Sequence, residues 1–330
     1  MPTSYNTYAM KFIAKLIIST FILAGCVSAP VPSPKPEKLV FAVQSANPAA
    51  TRAAWQPLIA DMGKKLGVSM ELLVESQTET VKALGSGKAD IVWLSSSVAI
   101  DAAADSKGEA FALYFNVNGT NGYKSVVVTK KANGISTLDE ALTPGKYRYA
   151  NLAQTSTSGY VLPQHFLFNP RKTTPEALFK TVTVGSHFSN LDLLWADKVD
   201  VIVNNTTDLG VFQGRTPGAK EQLMTLWESP LVPNDVLMYR SDTAASTKKL
   251  LKDFILTSYG KTEEEKALMK AASGILNFTP ADNKLLEPVS GFKFGTERNQ
   301  IAADSKLSSE DKALKLADLE QRIERFKKSL

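Results

Sequence analysis

The stretch that decides the fold is Leu84-Gly-Ser-Gly-Lys-Ala-Asp-Ile-Val-Trp-Leu94, because the chain repeats its plan as Leu194-Trp-Ala-Asp-Lys-Val-Asp-Val-Ile-Val-Asn204. Each copy reads as a helix end, a Lys-x-Asp turn and an apolar strand, and each strand runs into short polar side chains at residues 95–97 and 204–208. Lys-x-Asp alone is a weak signal, since helix–turn–strand units are common. Together with the matching polar tails it favours two similarly built α/β lobes.

Length and composition bound the classes of protein. The 330 residues suffice for about two domains, and 44% hydrophobic with 22% charged residues is an ordinary globular balance. The formal net charge of +5 is too small for a nucleic-acid-binding surface, which is strongly basic and clustered. One cysteine and two histidines exclude a disulfide scaffold and a thiolate or multi-histidine zinc site within one chain. We therefore expect no nucleic-acid partner, no metal and no cofactor.

The amino terminus has the pattern of a secretory signal. Lys11 and Lys15 precede an apolar run at residues 16–23 that is too short to span a bilayer as a helix. The next residues, Leu23-Ala-Gly-Cys26, resemble the lipobox of bacterial lipoproteins. The alternative is an ordinary secretory signal cut near residues 28–29.

The lipobox resemblance implies a signal peptide at residues 1–25, cleavage before Cys26 and lipid attachment to that cysteine. Residues 26–37 are rich in proline and read as an extended tether. We expect a membrane-anchored lipoprotein in the periplasm or on the outer cell surface.

From residue 38 onward, short strand-like runs alternate with amphipathic helices, which predicts an α/β fold with largely parallel sheet. Residues 125–129 and 235–240 are isolated apolar strands suited to hinge crossovers, so the first lobe is expected to be discontinuous. The predicted limits are residues 38–128 for the first part of lobe 1, 129–235 for lobe 2, and 236–330 for the rest of lobe 1.

Helix signals complete this outline. Capping boxes at Ser76-x-x-Glu79, Ser136-x-x-Asp139 and Thr262-x-x-Glu265 predict three helix starts. Residues 308–330 predict a long amphipathic helix at the carboxyl terminus, which either packs on its own lobe or forms a homodimer contact.

A run of hydroxyl residues marks the strongest candidate site. A predicted strand at residues 147–152 leads into Gln154-Thr-Ser-Thr-Ser-Gly159 and then into a helical stretch. Helix amino termini expose unpaired N–H groups and a partial positive charge, which suits an oxyanion. One hydroxyl there is ordinarily only an N-cap, but four exceed what capping requires. His187 follows another predicted strand and is either an anion donor or a surface or capping residue, whereas His165 reads as structural.

From Leu39 to its end the chain resembles the periplasmic phosphonate-binding proteins of ABC transporters. The matching stretches are Trp55-Gln-Pro-Leu58, Lys64-Lys-Leu-Gly-Val68, Lys88-Ala-Asp-Ile-Val-Trp93, Ser156-Thr-Ser-Gly159, Asn204-Asn-Thr206, Ser229-Pro-Leu-Val-Pro233 and Tyr259-Gly-Lys-Thr262. The resemblance implies a two-lobed type II solute-binding fold with two hinge crossovers. It also implies an ABC permease as partner and no catalysis.

The resemblance also implies roles for single residues. Ser156, Thr157 and Ser158 would hold the phosphonyl oxygens, His187 would add a donor, and Asp235 would face the ammonium group of an aminoalkylphosphonate. The chain departs from the family pattern at the remaining candidate positions. A family tyrosine is Leu94 here, followed by Ser95 and Ser96; a second tyrosine falls at Gln77; and a glutamate falls at Thr207, beside Asp208. A ligand without an amine (phosphate, phosphite or a small alkylphosphonate) is therefore at least as well supported as aminoethylphosphonate.

Two other functions stay open. A serine hydrolase could be built around Ser158, His187 and either Asp208 or Asp235, but the Gly-x-Ser-x-Gly elbow is absent from the sequence. A lipid-anchored oxyanion-binding protein could instead serve a sensor rather than a permease.

Overall fold

The computed structural model describes residues 36–45 and 47–330. The predicted signal peptide, Cys26 and all but the last two residues of the tether lie outside this part of the chain. Within it, no helix combines the length and the apolarity that crossing a bilayer requires.

The described strands and helices alternate along most of the chain. The strands are β1 (Lys38–Gln44), β2 (Ser69–Glu75), β3 (Ile91–Leu94), β4 (Gly108–Asn116), β5 (Gly122–Tyr123), β6 (Ser125–Lys130), β7 (Arg148–Asn151), β8 (Thr181–Val184), β9 (Val201–Asn205), β10 (Leu223–Glu228), β11 (Val232–Pro233), β12 (Val236–Arg240) and β13 (Ile275–Pro280). The α-helices are α1 (Pro48–Leu66), α2 (Gln77–Gly85), α3 (Ser96–Asp105), α4 (Leu138–Ala141), α5 (Pro175–Leu178), α6 (His187–Trp195), α7 (Thr206–Arg215), α8 (Ala219–Gln222), α9 (Ala245–Asp253), α10 (Glu263–Ser273), α11 (Glu287–Ala303) and α12 (Ser309–Ser329). Short 3₁₀ turns lie at Lys131–Asn133 and Asn283–Leu286, and π-helical turns at Thr157–Val161, Gln164–Phe168 and Phe254–Ser258.

The strands form two large mixed sheets. The first has the order β13-β4-β12-β3-β1-β2 and the second the order β10-β6-β9-β7-β8. Only β2-β1-β3 and β8-β7-β9 pair in parallel, so the expectation of largely parallel sheet is wrong. Four antiparallel pairs involve β6 or β12, which enter their sheets directly from the other sheet without a crossover helix. We call the elements that pack on these sheets the first and second lobes.

The two copies of the repeated stretch occupy equivalent places. Their strands, β3 and β9, lie inside their sheets, next to β1 and β7 respectively. The aspartate of each Lys-x-Asp turn accepts a hydrogen bond from the neighbouring strand: Asp90 Oδ2 from the Val40 N–H (2.7 Å) and Asp200 Oδ2 from the Arg148 N–H (2.8 Å). The motif therefore fastens the start of one strand to the next in both lobes.

The chain crosses between the sheets twice. It leaves β4 for β6 and returns from β10 to β12, and on the way β5 pairs antiparallel with β11. The stretches predicted as crossovers are interior strands of the two sheets. The antiparallel pair of β5 and β11, which we call the connecting ladder, lies just before each of them. The lobe limit predicted at residue 128 falls inside β6, which pairs only within the second sheet. All the predicted limits of the lobes stay predictions.

Gly122 allows the two connections to approach. A Cβ at this position would lie 2.6 Å from the carbonyl oxygen of Val232. Only glycine fits without a shift of the ladder.

Apolar clusters cover both faces of the first sheet. Trp93 lies among Phe41 and Trp55 on one face, with its ring centroid 4.9 Å from that of Trp55. The adjacent Val92 and Leu94 point into the opposite cluster, as the two-residue period of a strand requires. That cluster also buries Leu319 and Phe326 of α12. The carboxyl-terminal helix therefore packs on its own lobe.

One of the three predicted capping boxes is complete and a second is half formed, because the Glu79 carboxylate accepts from Lys82 Nζ (2.7 Å) and not from the Ser76 N–H. Ser76 accepts a hydrogen bond from the Glu79 N–H, and Thr262 and Glu265 form a complete capping box. The third box lies one residue later than predicted, at Thr137 and Glu140. It shifts because the N–H and hydroxyl of Ser136 both donate to the Glu140 carboxylate (2.7 and 2.9 Å).

Candidate functional site

The start of α3 carries a polar group without a partner. Ser95 follows β3 as the N-cap residue, but its hydroxyl bonds to none of the described residues and is buried. A buried hydroxyl without a hydrogen bond is costly, so a ligand or a water molecule that bonded to Ser95 would remove that cost. The next hydroxyl, of Ser96, donates instead to the Pro233 carbonyl (2.9 Å) and secures α3 to the connecting ladder.

The predicted oxyanion segment folds as a turn at the carboxyl end of β7. We call residues 155–161 the hydroxyl turn; its helical part, Thr157–Val161, is π-helical, a geometry often found at functional sites. Ser156 caps it by accepting from the Gly159 N–H (3.0 Å). Gly159 is needed here because a Cβ would lie 2.5 Å from the Leu152 side chain.

Ser158 is the free hydroxyl of this turn. Its side chain is buried, and its carbonyl accepts from the Ser125 hydroxyl (2.6 Å). No bond to the Ser158 hydroxyl itself is formed within residues 36–45 and 47–330, so it is available to a ligand.

Hydrogen bonds join the hydroxyl turn to the first lobe. The Ser97 N–H donates to Thr157 Oγ1 (3.0 Å), and Thr157 Oγ1 lies 2.9 Å from Ser97 Oγ. Ser97 Oγ donates to the Thr155 carbonyl (2.5 Å), and Thr155 Oγ1 donates to Gln77 Oε1 on α2. The structure thus brings Gln77, the tail of β3 and the hydroxyl turn together.

His187 is the first residue of α6 and is partly exposed. Its Nδ1 lies 3.2 Å from Asn204 Oδ1, and Asn204 Nδ2 donates to the His187 carbonyl (2.8 Å). Because the amide presents its oxygen to the ring, the neutral imidazole carries its hydrogen on Nδ1. Nε2 therefore becomes a donor only when the ring is protonated. Burial lowers the pKa of His187, and Asp208, with Oδ2 4.0 Å from Nδ1, opposes that shift.

Asp208 and Thr207 lie in the first turn of α7. Asp208 is joined to the N-cap residue Asn205 twice, since its N–H donates to Asn205 Oδ1 (2.7 Å) and its Oδ2 accepts from Asn205 Nδ2 (2.8 Å). Thr207 Oγ1 accepts a long bond from Asn116 Nδ2 of the first sheet (3.4 Å). Both residues have roles at the helix start besides any contact with a ligand.

Asp235 lies between the connecting ladder and β12. Its Oδ2 accepts from Trp93 Nε1 (2.7 Å), and burial raises its pKa to about 6, to which the charge of Asp208 adds. The pKa values of Tyr114 and Tyr123 are also raised, first by burial and then by Asp235. Asp235, Asp208 and the two tyrosines therefore share one electrostatic environment.

No motif in the sequence marks Tyr114 or Tyr123, and Ser97 and Asn204 stand only within the polar tails of the repeated strands. The one available signal was position, since Ser97 and Asn204 follow or end the repeated strands.

A cavity of about 180 Å³ adjoins the contact between Gln77 and Thr155. Its lining is mixed in character and consists of Gln77, Thr78, Val81, Lys82, Val98, Asp101, Asp105 and Thr155. The cavity has room for a small group only. Within the described part of the chain, no cluster of three or more histidine, cysteine or acidic residues could hold a metal ion.

The chain is similar in sequence to proteins of one family. The family described as "ABC transporter, phosphonate, periplasmic substrate-binding protein" matches residues 41–286. An Escherichia coli K12 protein named "Phosphonates-binding periplasmic protein" is 27% identical over 318 residues, which cover 95% of this chain and 93% of that protein.

Solved structures agree with this similarity. A binding protein component of an ABC phosphonate transporter from Pseudomonas aeruginosa has a TM-score of 0.74 and 26% identity, covering 89% of this chain and 98% of that chain. PhnD1 from Prochlorococcus marinus, solved in complex with methylphosphonate, has a TM-score of 0.66 and 19% identity, covering 78% and 97% of the two chains. At 19% identity the second likeness concerns the fold alone.

Proposed function

This chain belongs to the family of periplasmic substrate-binding proteins of phosphonate ABC transporters, and we propose that it holds a phosphonate or a related phosphorus oxyanion between its two lobes and delivers it to an ABC permease. The type II solute-binding fold expected from the sequence is confirmed. The observation that carries the proposed site is a pair of hydroxyls that make no hydrogen bond to the described residues: the buried hydroxyl of Ser95 from the first lobe, and that of Ser158, a buried residue, from the second.

Neutral donors suit this ligand class. Hydroxyl and backbone N–H groups bound to a dianion form charge-assisted hydrogen bonds, which are stronger than neutral ones. The α3 start adds the partial positive charge of a helix amino terminus. A tight site of this kind needs no cluster of lysine and arginine side chains.

Asp235 bears on whether the ligand has an amine. A buried carboxylate with a raised pKa gains from a cation beside it, and a ligand ammonium group would supply one. Leu94, Gln77 and Thr207 argue the other way, since none of them offers the aromatic donor or carboxylate of the family pattern. Titration with ligands that have and lack an amino group therefore decides between these two kinds of ligand.

Isothermal titration of the purified protein with methylphosphonate, 2-aminoethylphosphonate, phosphite and phosphate tests the proposal. Heat with at least one of the four supports it, and the ranking of methylphosphonate against 2-aminoethylphosphonate decides the amine question. No heat with any phosphorus oxyanion would contradict the proposed ligand class.

The protein is proposed to bind without catalysis. In the described residues no hydrogen bond joins Ser158 to His187, and the His187 Nδ1 faces Asn204 at 3.2 Å and Asp208 at 4.0 Å. A hydrolase needs the nucleophile and the base within reach of each other. Turnover of a chromogenic ester by the purified protein, lost in Ser158→Ala, would favour the hydrolase instead.

Lipid attachment at Cys26 is a further part of the proposal, supported by the lipobox pattern. Labelled palmitate should enter the wild-type protein and not Cys26→Ala, and the variant should leave the membrane fraction. Genes for a permease and an ATPase beside this one would favour import, whereas a neighbouring histidine kinase would favour sensing.

A homodimer through α12 also remains a proposal. Leu314 is 64% exposed and is the apolar side chain that α12 offers to a second copy. Light scattering of the purified protein and of Leu314→Glu distinguishes a dimer from a monomer.

A further inference from the structure

Helix α11 also contacts the hydroxyl turn. Gln300 Nε2 donates to the Tyr160 hydroxyl at 2.6 Å. Tyr160 lies two residues after Ser158, on the same π-helical turn. A residue of the first lobe is therefore hydrogen-bonded to the segment of the second lobe that carries the proposed ligand hydroxyls.

Aromatic contacts between α11 and residues 165–166 add to this hydrogen bond. The ring of Phe292, also on α11, lies with its centroid 4.8 Å from that of His165 and 5.1 Å from that of Phe166. Leu162, between these residues and the hydroxyl turn, is fully buried in the apolar cluster of the first lobe. Tyr160, Leu162 and His165 thus contact the first lobe, and Phe166 packs on both lobes.

Helix α11 is itself fixed to α3. Lys293 Nζ lies 3.1 Å from Asp101 and 2.7 Å from Glu297, and Arg322 of α12 bonds to both acids at 2.6 and 2.8 Å. Lys293 is 6% exposed. Breaking one partner of a buried ion pair is strongly destabilising, so these helices are expected to move as one body.

One body therefore holds the hydroxyl turn at two points. Its first contact is Ser97 of α3 with Thr157, and its second is Gln300 of α11 with Tyr160. Thr157 and Tyr160 are one helical turn apart, with Ser158 between them. Two fixed points therefore hold the backbone of the turn on either side of Ser158.

We propose that Gln300 and Phe292 are positioning residues for ligand binding, which hold the hydroxyl turn in register with the start of α3 although neither touches the ligand. This inference rests on the proposed function. It predicts that substitution of Gln300 or Phe292 weakens the binding of every phosphorus oxyanion by the same factor. The reason is that both residues act on the position of the hydroxyl turn and not on the substituent of the ligand.

The test is titration of Gln300→Ala and Tyr160→Phe with methylphosphonate and with inorganic phosphate. Loss of one hydrogen bond should weaken binding of each probe about threefold to tenfold. The double variant should be no weaker than the weaker single variant, since both remove the same bond. Asn299→Ala, an exposed neighbour on the same helix, should bind like the wild type.

Three results would overturn the inference. They are affinities of Gln300→Ala within twofold of the wild type, additive losses in the double variant, or a loss confined to one of the two probes. Melting of the ligand-free variants within a degree or two of the wild type shows that the loss is not general destabilisation. A wild-type protein that bound neither probe nor any other phosphorus oxyanion would overturn the proposed function, and this inference with it.

Phe292→Leu gives an independent check. It keeps an apolar side chain but removes the ring contacts with His165 and Phe166. We expect a smaller loss of affinity, equal for both probes. A gain in affinity would show that the contact favours the ligand-free form and would contradict the inference.

Discussion

The backbone N–H of Ser97 donates to the hydroxyl of Thr157 at 3.0 Å, so an amide in the first turn of α3 is bonded by the opposite lobe. Helix starts leave such amides without partners inside the helix. Thr157 in turn lies 2.9 Å from Ser97 Oγ, so its hydroxyl is engaged on both sides. In this conformation Thr157 joins the lobes. The hydroxyls of Ser95 and Ser158 make no hydrogen bond to the described residues, and the Ser156 hydroxyl, which accepts from the Gly159 N–H, still has its own hydrogen to donate.

Ser95→Ala should separate binding from stability. The Ser95 hydroxyl is buried without a partner, so its removal should leave the free energy of unfolding unchanged or slightly higher. Affinity for the phosphorus oxyanion should fall about tenfold. Ser96→Ala is the matched control: it loses the bond to the Pro233 carbonyl and should cost about 1 kcal/mol of stability. Equal binding by Ser95→Ala and wild type in titration would argue against a ligand at this hydroxyl.

Ser158→Ala and Ser156→Ala should differ in the same way. Ser156 caps the hydroxyl turn, so its loss should lower the free energy of unfolding by about 1 kcal/mol. Ser158 has a free hydroxyl, so its loss should weaken binding about tenfold with little change in urea denaturation. If Ser158→Ala lowers stability as much as Ser156→Ala and leaves affinity intact, the assignment of the two hydroxyls is wrong.

Asp235→Asn should make the protein more stable at neutral pH. Burial raises the pKa of Asp235 from 3.8 to about 6, so the folded protein binds this proton more tightly than the unfolded chain does. Stability contributed by the protonated carboxyl is therefore lost as pH rises from about 4 to about 6. The variant keeps an acceptor for Trp93 and has no charge to bury. Its advantage in denaturant unfolding should grow across this window and then stay constant; a difference independent of pH would contradict the shift.

His187→Gln should change the protons taken up with the ligand. Burial lowers the pKa of His187, so the ring is mostly neutral at pH 7 in the free protein, and a bound anion raises that pKa again. The wild type should therefore bind more protons on complex formation than the variant does. Titration in two buffers of different ionisation enthalpy measures this difference, and subtraction of the variant removes the ligand's own proton. Identical proton numbers would place His187 away from the anion.

The two α/β lobes can be predicted from the sequence because the patterns that form them span only a few neighbouring residues. The repeated Lys-x-Asp stretch predicted two alike lobes, and Asp90 and Asp200 make the same bond to the neighbouring strand in each. The parallel character of the sheets was overestimated, because nothing local shows that β6 and β12 enter from the other sheet. The capping box near Thr137 was misplaced by one residue because Glu140 reaches the Ser136 N–H.

The site was legible in part. The hydroxyl run and the polar tail of β3 were recognised, but each residue in them could equally have been a cap. The tertiary structure distinguishes them. Ser156 caps the hydroxyl turn, Ser96 bonds to the Pro233 carbonyl, Thr157 joins the lobes, and the buried Ser95 hydroxyl has no partner among the described residues.

By itself, then, the sequence determined the α/β lobes, the hydroxyl-rich turn and the suitability of that turn for an oxyanion. These features depend on the spacing of apolar residues, on composition and on the chemistry of helix starts, all of which act over a few neighbouring residues. Only the tertiary structure decided which hydroxyl is free, that Tyr114 and Tyr123 lie near Asp235, and that Gln300 reaches Tyr160. A hydrogen bond between residues 140 positions apart depends on where two lobes meet, and no local pattern in the chain records that.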